Sequence, residues 1–278
     1  MPVTLRRLGL RLLVPLAFLA AWELLAVGLD RPGTLPRVEA VAAVLAHPGR
    51  KLLITGSLIE NTLVSLVRVS LGFALAAALA VPLGMAMGCT PAAERLLDST
   101  VEMLRPIPPL AWVPLILAWL GVKGPADWLP GLVASRILAG IQFSTVVVIL
   151  IGAFFPILLS TVRGVKTVPP EYLESARTLG ARRAALLFRV VVPASLPAVV
   201  AGLRIGLGIG WMCLVAAEMM PGSNAGLGYL IWYAYELLRT DVIVASMAVI
   251  GLIGFLMDRG FRRLERRIAY GAAAQGSW

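Results

Sequence analysis

An all-α membrane protein with about six transmembrane helices is the fold class that the sequence predicts, on three observations. Of its 278 residues 59% are apolar and only 14% charged, where a water-soluble globular domain carries about a quarter charged residues. The mean hydropathy is +0.87, too apolar for a disordered chain to stay dispersed in water. Six stretches approach the roughly 20 apolar residues that a spanning helix needs. The single histidine, His47, excludes multi-histidine metal sites and proton relays. The two cysteines, Cys89 and Cys213, lie far apart without metal-ligand spacing.

The first span, Leu10–Leu29, follows Arg6, Arg7 and Arg11, a pattern that secretory signals share. Its apolar run continues past Trp22 and Glu23 with no small-residue cleavage site before a polar stretch, so it reads as a retained helix. Leu35–Ala46 reads as a short amphipathic helix, and His47-Pro48-Gly49 as a turn. The remaining spans are Leu58–Met87, Leu104–Leu120, Ile137–Leu159, Leu196–Met219 and Asp241–Met257. Nothing outside them could build a second, water-soluble core. Residues 1–278 are therefore one membrane domain, with its core over 58–260 and its longest connection over 161–193.

Basic residues set the orientation. With the N-terminus in the cytosol, sixteen of the 25 Lys and Arg fall on that side, including Arg95, Arg163, Arg182, Arg183, Arg262 and Arg263. Six, namely Arg31, Arg37, Arg50, Lys51, Lys123 and Arg239, fall opposite. Both termini are then cytosolic, and the net charge of +10 is a topology signal that needs no nucleic-acid partner.

Small residues recur every four positions, as Gly72, Ala76, Ala80, Gly84 and Gly88 in the second span and as Gly202, Gly206 and Gly210 in the fifth. Such stripes admit a close helix, either within one bundle or at a subunit seam. Glu23, Arg68, Arg136, Arg204, Glu218 and Asp258 fall in or near spans, where an unpaired charge is costly. Arg68, Arg204 and Glu218 suit interior pairs or a wet path. The aromatics Tyr229, Trp232, Tyr233 and Tyr235 follow a turn-rich Gly222–Gly228 and suit a membrane interface.

The 161–193 connection has internal order. Pro170 suits a first helical position, Glu171 and Glu174 suit the positive end of a helix dipole, and Gly180 supplies a stop. A short helix over Pro170–Leu179 follows, then an amphipathic segment Arg182–Val192, and Pro193 opens the fifth span. A helix lying on the membrane surface would explain the basic content equally well.

Glu174-Ser175-Ala176, Gly180, Val190, Val192 and Pro193 resemble the EAA loop of ATP-binding-cassette importer permeases, in which Glu-Ala-Ala, Gly and Ile-x-Leu-Pro stand at this spacing. Ser175, Val190 and Val192 depart from it conservatively. Arg105 to Pro114, Ala153 to Ile157, Gly226-Leu227-Gly228-Tyr229 and Thr240-Asp241 resemble the nitrate, sulfonate and taurine branch, so that the likeness covers about 65–267.

The resemblance implies the MetI-like architecture of type I importers in a bacterial inner membrane. It implies two cytosolic ATPase subunits, a second and identical permease chain, and a periplasmic or lipid-anchored solute-binding protein. Glu171, Glu174, Ser175, Ala176, Gly180 and Pro193 become the ATPase-coupling residues, and Arg68, Trp112, Gln142, Arg204 and Glu218 candidates for the path. No GxxxxGK[ST] occurs, so ATP and magnesium belong to the partner; this chain binds no metal or other cofactor and catalyses nothing. The expected function is import of a small polar anion, sulfonate-, taurine- or nitrate-like, by alternating access. Betaine, bicarbonate or a pyrimidine precursor is an alternative cargo, and an ion-coupled secondary transporter an alternative class.

Overall fold

The computed structural model describes residues 3–54, 56–128 and 139–275. Helix α1 (Val3–Leu29) leads to α2 (Val38–Ala46), and a small antiparallel pair, β1 (Lys51–Leu53) with β2 (Gly56–Ser57), precedes α3 (Leu58–Cys89). Next come α4 (Pro91–Leu104), a 3-10 turn (Pro109–Trp112), α5 (Val113–Leu120), α6 (Pro125–Trp128) and α7 (Phe143–Lys166). The chain continues through α8 (Pro170–Thr178), α9 (Arg183–Leu186), a π-turn (Leu187–Val191), α10 (Val192–Glu218), α11 (Leu227–Glu236) and α12 (Thr240–Gln275).

Among the described residues four helical runs are long and apolar enough to cross a membrane: α3, α7, Arg183–Glu218 and the Thr240–Ile268 part of α12. Their outward faces are apolar, with Leu71, Leu75 and Leu79 exposed on α3 and Leu252, Phe255 and Leu256 on α12. In a bilayer the lipid covers such faces while each helix satisfies its own backbone.

The two small-residue stripes resolve as packing inside one bundle, because both clasp α7. A Cβ on Gly72 would stand 2.6 Å from Ile149 Cβ, one on Gly84 2.7 Å from Thr161 Cβ, and one on Gly206 2.6 Å from Ile157 Cγ1. Only glycine permits these approaches, and Ala76, Ala80, Ala153 and Ile157 close the layer with no exposed surface. Helix α12 packs outside, where the Trp211 indole N–H donates to Ile250 O at 3.3 Å.

Three expected spans differ. Of the first, Leu13–Leu29 within α1 is a shorter apolar helix that falls outside the four spanning runs. The third, Leu104–Leu120, is broken: α4 and the Pro109–Leu120 segment meet at 85°. Pro106, Pro108 and Pro109 remove backbone donors within one turn there, and Pro108 lies in extended backbone with ψ 134°. The fifth starts earlier, because the amphipathic segment and the span are one continuous run over Arg183–Glu218. Its π-turn, closed by Val192 N–H donating to Leu187 O, widens the helix where the Pro193 ring would otherwise strike the carbonyl four residues before it. The fourth span is described from α7 onward; Arg136 and residues 137 and 138 lie outside the described residues.

Elsewhere the charges find partners. Glu23 on α1 accepts from Val38 N–H at 2.9 Å at the first turn of α2, where a carboxylate suits the dipole. Trp22 donates to Pro36 O at 2.9 Å. At the corner between α11 and α12, Leu238 takes a left-handed φ of 55° and Arg239 grips Asp241 through two bonds of 2.9 and 2.8 Å. Hydrogen bonding to Asp241 raises the Arg239 guanidinium above its ordinary range.

Candidate functional site

The 161–193 connection emerges at one end of the α7–α10 pair. Helix α8 spans Pro170–Thr178 and stops as a Schellman motif: Gly180 N–H donates to Arg177 O at 2.9 Å and Ala181 N–H to Ala176 O at 3.0 Å. Gly180 has φ 78° with nothing within 4 Å of a Cβ position, so backbone conformation, not crowding, selects glycine. Glu171, Glu174 and Ser175 are exposed and Ala176 half-buried. Among the described residues Glu174 has no ion-pair partner. Leu179 at the tip is 88% exposed. Only Leu173 on the inner side of α8 joins the small cluster of Val165, Val168 and Val191 that holds the helix to the bundle. The motif residues therefore stand on one short, outward helix, and Pro193 sits where the run enters α10.

The opposite end is a sealed polar network. Arg68 on α3 and Glu218 at the end of α10 form an ion pair of 3.0 Å, both side chains with no exposed surface. Ser65 donates to both Glu218 carboxylate oxygens at 2.9 Å and accepts from Leu227 N–H at 2.9 Å, while Gly228 N–H donates to Glu218 at 3.0 Å. Arg68 donates further to Gly140 O through Nε at 2.9 Å and through Nη2, and to Ala225 O at 2.9 Å. Asn61 accepts from Gly226 N–H at 2.9 Å. Gln142 lies at the edge, donating to Gly222 O at 2.7 Å and standing 3.5 Å from Arg68. Every charge is thus matched by several hydrogen bonds, the condition under which a buried ion pair is tolerated. At Gly226, with φ 115°, a Cβ would run into the Glu218 carboxylate.

The five path candidates consequently divide. Arg68 and Glu218 neutralise each other away from any opening. Arg204 reaches across to α12, 3.0 Å from Glu265 and 4.0 Å from Asp258, on a half-buried surface. Trp112 and Gln142 border the packed layer between α5 and α7.

Residues 80–270 match the family described as binding-protein-dependent transport system inner membrane component. The chain belongs to that family. It is similar to a Methanocaldococcus jannaschii protein described as an ABC transporter permease, 51% identical over 95% of this chain and 92% of that one. It is also similar to the taurine transport system permease protein of Escherichia coli, 36% identical over 89% and 83%, and to the bicarbonate transport system permease protein of Synechocystis, 32% identical over 92% and 87%. An inward-facing MetNI methionine ABC transporter structure shares the fold, with a TM-score of 0.61 at 16% identity, covering 76% of this chain and 95% of that one.

The chain is thus a permease whose relatives include those described for taurine and for bicarbonate transport, and the MetI-like fold expected from its motifs is present. Sequence reading did not reach Asn61 and Ser65, and it placed Gly226 and Gly228 in a branch motif without their contacts to Asn61 and Glu218. Asn61, Ser65 and Arg68 repeat at spacings of four and three on an apolar helix, a polar stripe on one face that could have been read as a buried seam.

Proposed function

We propose that this permease is the membrane-spanning subunit of an ATP-driven, binding-protein-dependent importer that moves a small polar anion by alternating access. Two copies of the chain surround the path, two cytosolic ATPase subunits hold the two α8 helices, and a solute-binding protein delivers cargo at the opposite side. The observation that carries this reading is α8 itself. A nine-residue helix capped by its own backbone, with exposed Glu171 and Glu174 and one anchoring leucine, has the shape of a handle and no other role within the chain. Glu174 orients it through charge-assisted hydrogen bonds to the ATPase, Ser175 and Ala176 allow close contact, Gly180 makes the turn, and Pro193 fixes the entry into α10.

The cargo is sulfonate-, taurine- or nitrate-like, a reading supported by the similarity to the Escherichia coli taurine permease, with bicarbonate as the alternative supported by the similarity to the Synechocystis permease. The test is uptake into proteoliposomes by the permease co-purified with an ATPase and a binding protein, with labelled taurine and bicarbonate as cargo. Accumulation that requires ATP and all three components is expected. Accumulation by the permease alone, with no nucleotide present, would overturn the reading.

A further inference from the structure

The layer between α5, α7 and α10 contains polar groups that neither the network nor the handle uses. Ser144 is 3% exposed and its hydroxyl has no hydrogen-bond partner among the described residues. It lines a cavity with Gln142, Thr145 and Ser223, closed on the other side by Val113 and Leu117 of α5. The cavity measures about 10 Å3, room for one water at most. Trp112 packs in the cluster that continues from it, and its indole N–H is likewise buried without a partner. Native chains satisfy nearly all buried donors, so two orphans in one layer call for a cause.

The wall over this layer is short and held from one side, where Val113 and Ile116 are buried. Helix α5 has eight residues; the proline-rich break precedes it, and Gly121 follows at φ 62° with no atom near a Cβ position. Its outer residues Leu115 and Trp119 are exposed, so among the described residues only its inner side is packed.

We infer that α5 is a movable wall whose withdrawal opens the Ser144–Thr145 face to the solute, and that the Ser144 hydroxyl and Trp112 indole donate to its acceptor oxygens. The inference rests on the importer reading and deepens it by naming a ligand class, a small oxyanion held by neutral donors. Among the described residues the one fully buried arginine, Arg68, is already neutralised by Glu218. Neutral donors hold an anion less tightly than a free guanidinium, which suits a site that must release its cargo.

The test uses the complete transporter in proteoliposomes, in a Cys89→Ser/Cys213→Ala background. Ser144→Cys is probed with a charged methanethiosulfonate without nucleotide and after vanadate trapping, with Thr145→Cys as the second probe should the first not assemble. Labelling in one state and protection in the other is expected; protection of both cysteines in both states overturns the inference. Trp112→Phe keeps an aromatic ring, smaller than the indole, and removes the donor. It should raise the uptake KM for the transported anion about tenfold, the scale of one hydrogen bond to a charged group, with unchanged stimulation of ATP hydrolysis by the receptor. An unchanged KM makes the layer packing only. Loss of ATP-dependent uptake in the parent protein would instead remove the importer reading, so the two failures are distinct.

Discussion

The two ends of the α7–α10 pair make similar corners and hold them by opposite means. At the handle end, Gly180 turns the chain without strain and one leucine fastens α8 to the bundle. At the far end, Leu238 turns it in the same left-handed region, where a side chain is disfavoured. Arg239 N–H to Ala234 O at 2.9 Å, Thr240 to Pro32 O at 2.6 Å and the Arg239–Asp241 pair hold that corner in place, beside a network in which Arg68 and Glu218 have no exposed surface. One end is therefore fixed by the chain itself, while among the described residues the other is held by one leucine, as the proposed handle requires.

Four single substitutions and one paired rescue test that contrast, the singles in falling order of their effect on the folded chain. Glu218→Ala leaves Arg68 buried without its counter-charge and should cost about 3–5 kcal/mol, seen as loss of the monodisperse chain in detergent. The Arg68→Met/Glu218→Leu pair should recover much of this, and failure to do so would show that the hydrogen bonds matter more than the charges. Gly206→Ala presses a methyl group against Ile157 and should cost about 1–3 kcal/mol, read as a lower thermal midpoint.

Gly180→Val forces a branched side chain into the left-handed region at a local cost of about 1–2 kcal/mol. Uptake should vanish while the thermal midpoint of the bundle barely moves; a fall as large as that of Gly206→Ala would break the contrast. Glu174→Arg should leave stability within about 0.5 kcal/mol and still abolish uptake, with solute capture by the receptor intact. Unchanged uptake in this variant would count against the handle.

Much of the handle was legible because its logic is local: proline, acid and glycine mark a helix start and stop within eleven residues, Pro170 to Gly180. The α3, α7 and α12 spans were legible from hydropathy, although the prolines after Arg105 and the π-turn before Pro193 moved the limits of two others. The sealed network was not legible as a unit. Arg68 and Glu218 stand out as charges in apolar helices, but their pairing spans 150 residues and depends on how α3 and α10 rest on α7. Ser144 and Thr145 gave no signal, since hydroxyls are ordinary at the start of a helix and only burial makes them unusual.

Helix α7 has the last consequence. Its 24 residues form a helix about 36 Å long, gripped along both sides by glycine stripes and interrupted near its middle by Pro156, which has no N–H for the helical ladder. A tilt of about 5° imposed beside Lys166 and carried unbent through Pro156 arrives at Phe143 as a sideways sweep of about 3 Å, comparable to the width of a water molecule. How much of a push at one face reaches the other is then decided at Pro156, close to the midpoint of the lever.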